Sequence, residues 1–182
     1  MVLAYELMNV LLKNFEDTNG GFFFTPDDHE TLIHRPKPLA DEAIPSGNGI
    51  ALKTLILLGH LLGESAFISA AQRALKASGS TLEAYPQGHG SMLQSLDLLL
   101  IPPELIIIRG EQEGTLNKWK SYANAGYHPH RLSFAIANNE TALPGFLAER
   151  KPQGEIVAYI CRGTECQAPI TEFEEFTRIV GP

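Results

Sequence analysis

Two consecutive prolines, Pro102 and Pro103, divide the chain into stretches with different hydrophobic periods. Upstream, apolar residues recur at helical spacing; downstream they gather into short runs of the kind that form strands. A proline pair stops a helix that reaches it, because the ring removes a donor and clashes with the preceding turn. The chain therefore reads as α+β in two parts: helical hairpins over 1–102, then a small α/β subdomain with about three strands over 103–182. At 182 residues, 44% hydrophobic and 19% charged, it can bury a core and is not a disordered chain.

In the first part, Ala4, Leu7, Met8, Leu11 and Phe15 form one stripe of an amphipathic helix. The segment that follows contains Gly20, Gly21, Pro26, Pro36, Pro38 and Pro45, too much punctuation for a regular helix. Within it, residues 22–25 and 31–34 are spaced to pair as a short hairpin around Asp27 and Asp28. A second helix runs from Ser46 to Leu62, apolar nearly all round and so expected deep in a core, and Gly63 ends it. Ser65 suits the N-cap of a third helix that buries Phe67, Ala71, Ala74 and Leu75. A fourth carries Met92, Leu93, Leu96, Leu99 and Leu100 up to the prolines.

The second part opens with Leu105-Ile106-Ile107-Ile108 before Gly110, the continuous apolar run of a buried strand in a parallel sheet. A helix over 115–122, a strand over 132–136 and a strand over 156–161 follow. Thr171-Glu172-Phe173-Glu174 has the capping-box pattern and predicts a last helix burying Phe173, Phe176 and Val180.

Charge and cysteine content narrow the functional classes. Twenty-one acids against 14 bases give a net charge of −7, which argues against a nucleic-acid backbone or an anionic membrane as principal partner. No targeting segment or membrane span is legible, so the reading is a cytoplasmic protein. The two cysteines, Cys161 and Cys166, close off a disulfide-stapled secreted scaffold. Cys161 ends an apolar run and Cys166 follows a glycine-containing turn, so the thiols can approach as a redox pair. Four intervening residues is a looser spacing than the usual two, and two reduced thiols packed in a small sheet is the plain alternative. His128-Pro129-His130 reads as a loop entering a strand, and no metal site is expected. Gly110 to Gly114 lacks both a dinucleotide fingerprint and a Walker lysine, and Glu111 and Glu113 would repel phosphate. No cofactor is expected.

Several strings taken together resemble a known family. They are Gly20-Gly21-Phe22-Phe23-Phe24-Thr25, Arg35-Pro36-Lys37, Asp41, and Ala43-Ile44-Pro45-Ser46-Gly47-Asn48, with Leu147-Ala148, Lys151-Pro152 and Ala158-Tyr159-Ile160-Cys161 through Cys166 to Pro169 in the tail. They are similar to the C-terminal part of the spermatogenesis-associated thioredoxin-like family. The resemblance implies a six-hairpin (α/α) toroid like that of sugar 2-epimerases and some glycosidases, followed by an α/β tail. The family's thioredoxin-like domain has no counterpart here, so no thioredoxin chemistry carries over. About twelve helices of roughly 12 residues, with loops of about 5, need on the order of 200 residues. Four helices before the tail make an incomplete toroid segment.

That resemblance makes 20–48 the candidate cleft. Toroids place paired carboxylates on loops and helix ends around a central cleft, where they serve as general acid and base. Asp41 is the catalytic candidate, and Phe23, Arg35, Lys37, Ser46 and Asn48 are candidates to bind a sugar through an aromatic platform and hydroxyl-directed hydrogen bonds. The competing reading is a polar surface loop in which Ser46 caps a helix and Asp41 pairs with Lys37 or Arg35. Two functions stay open: part of a carbohydrate-processing enzyme that requires missing segments, inactive alone, or a non-catalytic assembly module. Either implies a homodimer or a polypeptide supplying the missing hairpins.

Overall fold

The computed structural model describes residues 2–28, 30, 33–163 and 165–181. It is mixed α+β and divides into two compact units, Met1–Ile101 and Pro102–Pro182. Among the described residues there are seven α-helices and a four-stranded mixed sheet.

The first unit holds α1 (Val2–Asn14), α2 (Gly47–Leu62), α3 (Ser65–Ala84) and α4 (Gly90–Leu100), with a 3-10 turn at Pro86–Gly88. Helix α2 is the hub: Leu52, Leu55 and Ile56 are fully buried, and both α3 and α4 pack on it. Its start is set by Ser46, whose Oγ accepts the Gly49 N–H at 3.0 Å. Its end is set by Gly63, whose φ of 77° is the left-handed value that glycine alone adopts without strain. Helices α2 and α4 approach so closely that a Cβ at Gly49 would lie 2.6 Å from the Ser91 Cβ. Ser95 Oγ seals this seam by donating to Gly49 O at 2.9 Å.

Two local expectations are corrected here. Ser65 is the first helical residue of α3, not its cap; Glu64 takes the cap position without a side-chain bond, because one left-handed residue suffices to turn the chain between the helices. The stripe on α1 is split. Ala4, Met8, Leu11 and Phe15 are half-buried, but Leu7 is 53% exposed, and no residue of α1 is fully buried. Tyr5, itself 38% exposed, makes a ring contact with α3, its centroid 5.7 Å from that of Phe67. In the proposed hairpin at 22–34, Thr31 and Leu32 lie outside the described residues. Phe22 bridges to Glu16, and Phe24 N–H donates to Pro36 O at 2.8 Å.

The second unit is built on β1 (Glu104–Gly110), α5 (Glu113–Ala123), β2 (Arg131–Ala137), α6 (Phe146–Glu149), β3 (Ile156–Arg162), β4 (Glu165–Cys166) and α7 (Phe173–Val180). Sheet order is β2-β1-β3-β4, with β1 parallel to β2 and antiparallel to β3. Flanked on both edges, β1 buries both faces, as its unbroken apolar run requires. One face, with Ile106, Ile108, Ala158 and Ile160, is covered by Leu116 and Trp119 of α5 and Phe176 of α7. The Trp119 and Phe176 rings lie 4.6 Å apart.

Arg109 points from the opposite face and is 3% exposed. Its guanidinium donates to the carbonyls of Ala137, Asn138 and Glu140 at 2.9–3.2 Å and of Arg150 at 3.3 Å, tying both loops to the central strand. The expected Thr171 cap is not formed. The bridge between Ala158 and Ile170 keeps the backbone extended, Glu172 is still extended, and α7 starts at Phe173.

Candidate functional site

The polar residues of 20–48 form three staples. Asn48, 3% exposed, reaches back from the first turn of α2 to the loop. Its Oδ1 accepts Phe22 N–H at 2.7 Å, and its Nδ2 donates to Phe22 O and Pro38 O, each at 2.9 Å. That completes its pairing with the backbone of one residue and adds a second strand of the loop. A buried amide so engaged holds a fixed orientation.

Asp41 makes the second staple. Its Oδ1 accepts Ser46 N–H at 2.8 Å and the Ser91 hydroxyl, and its Oδ2 accepts Ser91 N–H at 2.8 Å. One carboxylate therefore ties the entrance of α2 to the first turn of α4, where the helix field also favours a negative charge. The Ser91 hydroxyl, then the Ser46 and Ser91 amides, hold its pKa below the ordinary value of 3.8.

Lys37 and Arg35 form the third. Lys37 Nζ donates to Gly20 O at 2.7 Å and to Asp17 Oδ2 at 2.8 Å, and the bond to Asp17 is the main reason that its carboxylate is also held below its ordinary pKa. Arg35 donates to Thr25 O at 2.6 Å and lies 4.2 Å from the centre of the Phe23 ring.

Between the end of α1, this loop and the start of α2 is a concave groove of about 540 Å³. Leu11 and Phe15 form one wall, Phe22 and Ala51 the floor, and Phe24, Glu42, Ile44 and Pro45 the rim. Of the expected site residues, Phe23, Ser46 and Asn48 line it, whereas Arg35, Lys37 and Asp41 are not among its lining residues. The polar atoms of Ser46 and Asn48 are already engaged, so the groove presents mainly carbon to a ligand. Glu42 is the acid at its rim. It is not among the residues that the sequence singles out, and its adjacency to Ile44 and Pro45 was the available signal. The sequence places Leu11 and Phe15 in the amphipathic stripe of the first helix, and nothing local marks them as walls of a groove.

In the second unit, Cys161 and Cys166 face each other across β3 and β4 and are joined as a disulfide. This corrects the reading of two reduced thiols: the turn makes the two residues direct cross-strand partners. His128, His130 and Tyr127 lie in a shallow recess with Arg131 and Arg162, whose guanidinium groups both pair with Glu104. Among the described residues, no group of three or more His, Cys, Asp or Glu side chains is placed to hold a metal ion. Among them, too, no helix is long and apolar enough to cross a membrane.

No protein-family profile matches the chain. It is similar to human spermatogenesis-associated protein 20, with 22% identity over 187 aligned positions that cover 98% of this chain. Those positions are 24% of the human protein, so the chain spans about a quarter of the relative that it matches.

Proposed function

We propose that this chain serves as an assembly segment of a helical-hairpin protein and has no turnover by itself. In this reading, further hairpins, on the same polypeptide or a second one, pack against α1 and extend the helical layer toward a toroid. The groove at 20–48 then becomes one side of a carbohydrate-binding cleft. The observation that carries the proposal is the bare face of α1, where Val2, Leu3, Leu7 and Val10 are 67%, 66%, 53% and 50% exposed. An apolar face of this kind marks a contact surface. The similarity to a protein about four times as long supplies candidates for what covers it. The chemistry agrees with inactivity in isolation. Asp41 is held as an anion by three donors, which suits a staple, whereas a general acid needs a raised pKa. Catalysis also needs groups preorganised in a water-excluded site, and this groove is open to solvent.

The test is to co-express the chain with a tagged polypeptide carrying the preceding hairpins of a longer relative, and to weigh the purified complex. A stoichiometric complex that is lost in the double variant Leu7→Glu, Val10→Glu supports the reading. Epimerase or glycosidase turnover by the isolated chain that disappears in Asp41→Ala would overturn it.

A further inference from the structure

The two sulfurs of the β3–β4 hairpin are not equivalent. Cys161 sits within β3 and is 5% exposed, whereas Cys166 is exposed on the two-residue edge strand. The Arg150 guanidinium donates to Cys166 Sγ at 3.0 Å. That guanidinium is poorly neutralised. Glu149, the acid it pairs with among the described residues, is 3.6 Å away with a side chain 61% exposed, and Arg150 Nε is buried with no hydrogen-bond partner among them. Its position is fixed from behind, because Arg109 on the central strand holds the Arg150 carbonyl. A cation beside an exposed sulfur, paired with a buried sulfur, is the arrangement that activates one thiol and reserves the other to resolve.

We propose that Cys161 and Cys166 form a reversible thiol–disulfide exchange site in which Cys166 is the attacking sulfur and Arg150 stabilises its thiolate. The substrate class is a disulfide with an accessible sulfur, of which glutathione disulfide is the simplest example. In the dithiol form, the Cys166 thiolate attacks one sulfur of the substrate. A Cys166–substrate disulfide forms, the substrate S–S bond breaks, and the first substrate thiolate leaves with the electron pair and takes a proton from water. Cys161 then loses its proton to solvent and attacks Cys166 Sγ. The Cys161–Cys166 bond forms and the second substrate thiolate leaves and is protonated. The protein dithiol is oxidised by two electrons, and one disulfide is reduced to two thiols. Run backwards, an external thiol reduces the protein through the same exposed sulfur.

The chain contains no other cysteine, so labelling is unambiguous. The reduced full chain is alkylated with iodoacetamide across a pH series, and the labelled peptides are weighed. Cys166 is expected to label with a midpoint at least one pH unit below the ordinary thiol value of about 8.5, and faster than Cys161. Arg150→Met should raise that midpoint by about one unit, slowing labelling roughly tenfold at pH values below both midpoints. With glutathione disulfide, Cys161→Ser should accumulate a mixed disulfide on Cys166, while the wild type proceeds to the internal bond. A wild-type Cys166 midpoint at or above the ordinary thiol value overturns the proposal. So does a Cys161→Ser protein that traps no more mixed disulfide than the wild type. Both readouts stand even if Arg150→Met fails to fold.

Discussion

At the scale of single residues, the charged loop of the first unit is better understood as a set of clamps than as a row of free ligands. Asp41 is the sharpest case, since its two oxygens receive donors from two different helices. Hydrogen bonds to an ionised group contribute about 1.5–3 kcal/mol each, but Asn would keep one acceptor, so Asp41→Asn is expected to cost about 1–3 kcal/mol at pH 7. The sign of the pH effect follows from its depressed pKa. The stabilisation is fully present above the ordinary value of 3.8 and is lost as pH falls through the lower folded value. Denaturant melts at pH 7 and at pH 3 should therefore show the gap between wild type and Asp41→Asn narrowing in acid. A constant gap would mean that the charge is not what the serines recognise. Asn48→Ala should be as severe, on the order of 2–3 kcal/mol, because it leaves buried Phe22 groups and the Pro38 carbonyl without their partner. Urea unfolding at neutral pH measures it, and a loss below half a kcal/mol would show that water replaces the amide. From sequence, the residue types around Ser46 and Asn48 were legible, and Ser46 as a helix cap was among the readings. What was not legible is that Asn48 pairs with Phe22, 26 positions away, because side-chain partners at that separation depend on how the loop folds back.

At the scale of elements, hydrophobic period located α2, α3, β1, β3 and α7 together with their buried faces, but in α4 it located only the helix, whose buried face is Ser91, Met92, Ser95 and Leu98 while the expected Leu100 is 71% exposed. Period failed where tertiary contacts decide. The two-residue β4 has no period to read, and the four-residue α6 is too short to show one. The Thr171 pattern lost to the bridge that holds Ile170 in extended backbone. Gly49 in α2 is a case in which a weak helix former is required by its neighbour. A methyl group there would lie 2.6 Å from the Ser91 Cβ and 2.9 Å from its carbonyl carbon, so α4 would have to move away. Overpacking of this type costs about 1–3 kcal/mol and outweighs the gain in helix propensity of roughly 1 kcal/mol for Gly→Ala. Gly49→Ala should therefore lower the urea midpoint with an unchanged slope. Gly79, in α3, has open space around its missing Cβ and serves as the control, so Gly79→Ala should raise the midpoint. Equal behaviour of the two variants would contradict the tight α2–α4 seam.

At the scale of the whole molecule, the decisive quantity is the apolar area that α1 leaves in water. Leu3, Leu7, Leu11 and Phe15 follow one another at four-residue spacing, so the outer row of the helix runs toward the groove, where Leu11 and Phe15 form a wall and Phe24 and Ile44 form the rim. Fully covering a large apolar side chain contributes roughly 1.5–3 kcal/mol. The residues of this row are already partly covered, so each would add less. Val2, Leu3, Leu7, Val10, Phe24 and Ile44, each at least half exposed, together then offer on the order of 5–10 kcal/mol. Losing translational and rotational freedom on association costs an estimated 4–15 kcal/mol, so the two terms are of similar size. Self-association through α1 should consequently be weak, whereas a partner with a matched helical hairpin would bury more area and bind more tightly. Light scattering on the isolated chain should show a monomer–dimer equilibrium that shifts across micromolar concentrations and strengthens with sulfate, which favours apolar burial. Leu7→Glu should move the equilibrium to monomer with little change in the urea midpoint, because Leu7 is 53% exposed and no residue of α1 is fully buried. A concentration-independent monomer in both proteins would place the contact surface elsewhere on the chain.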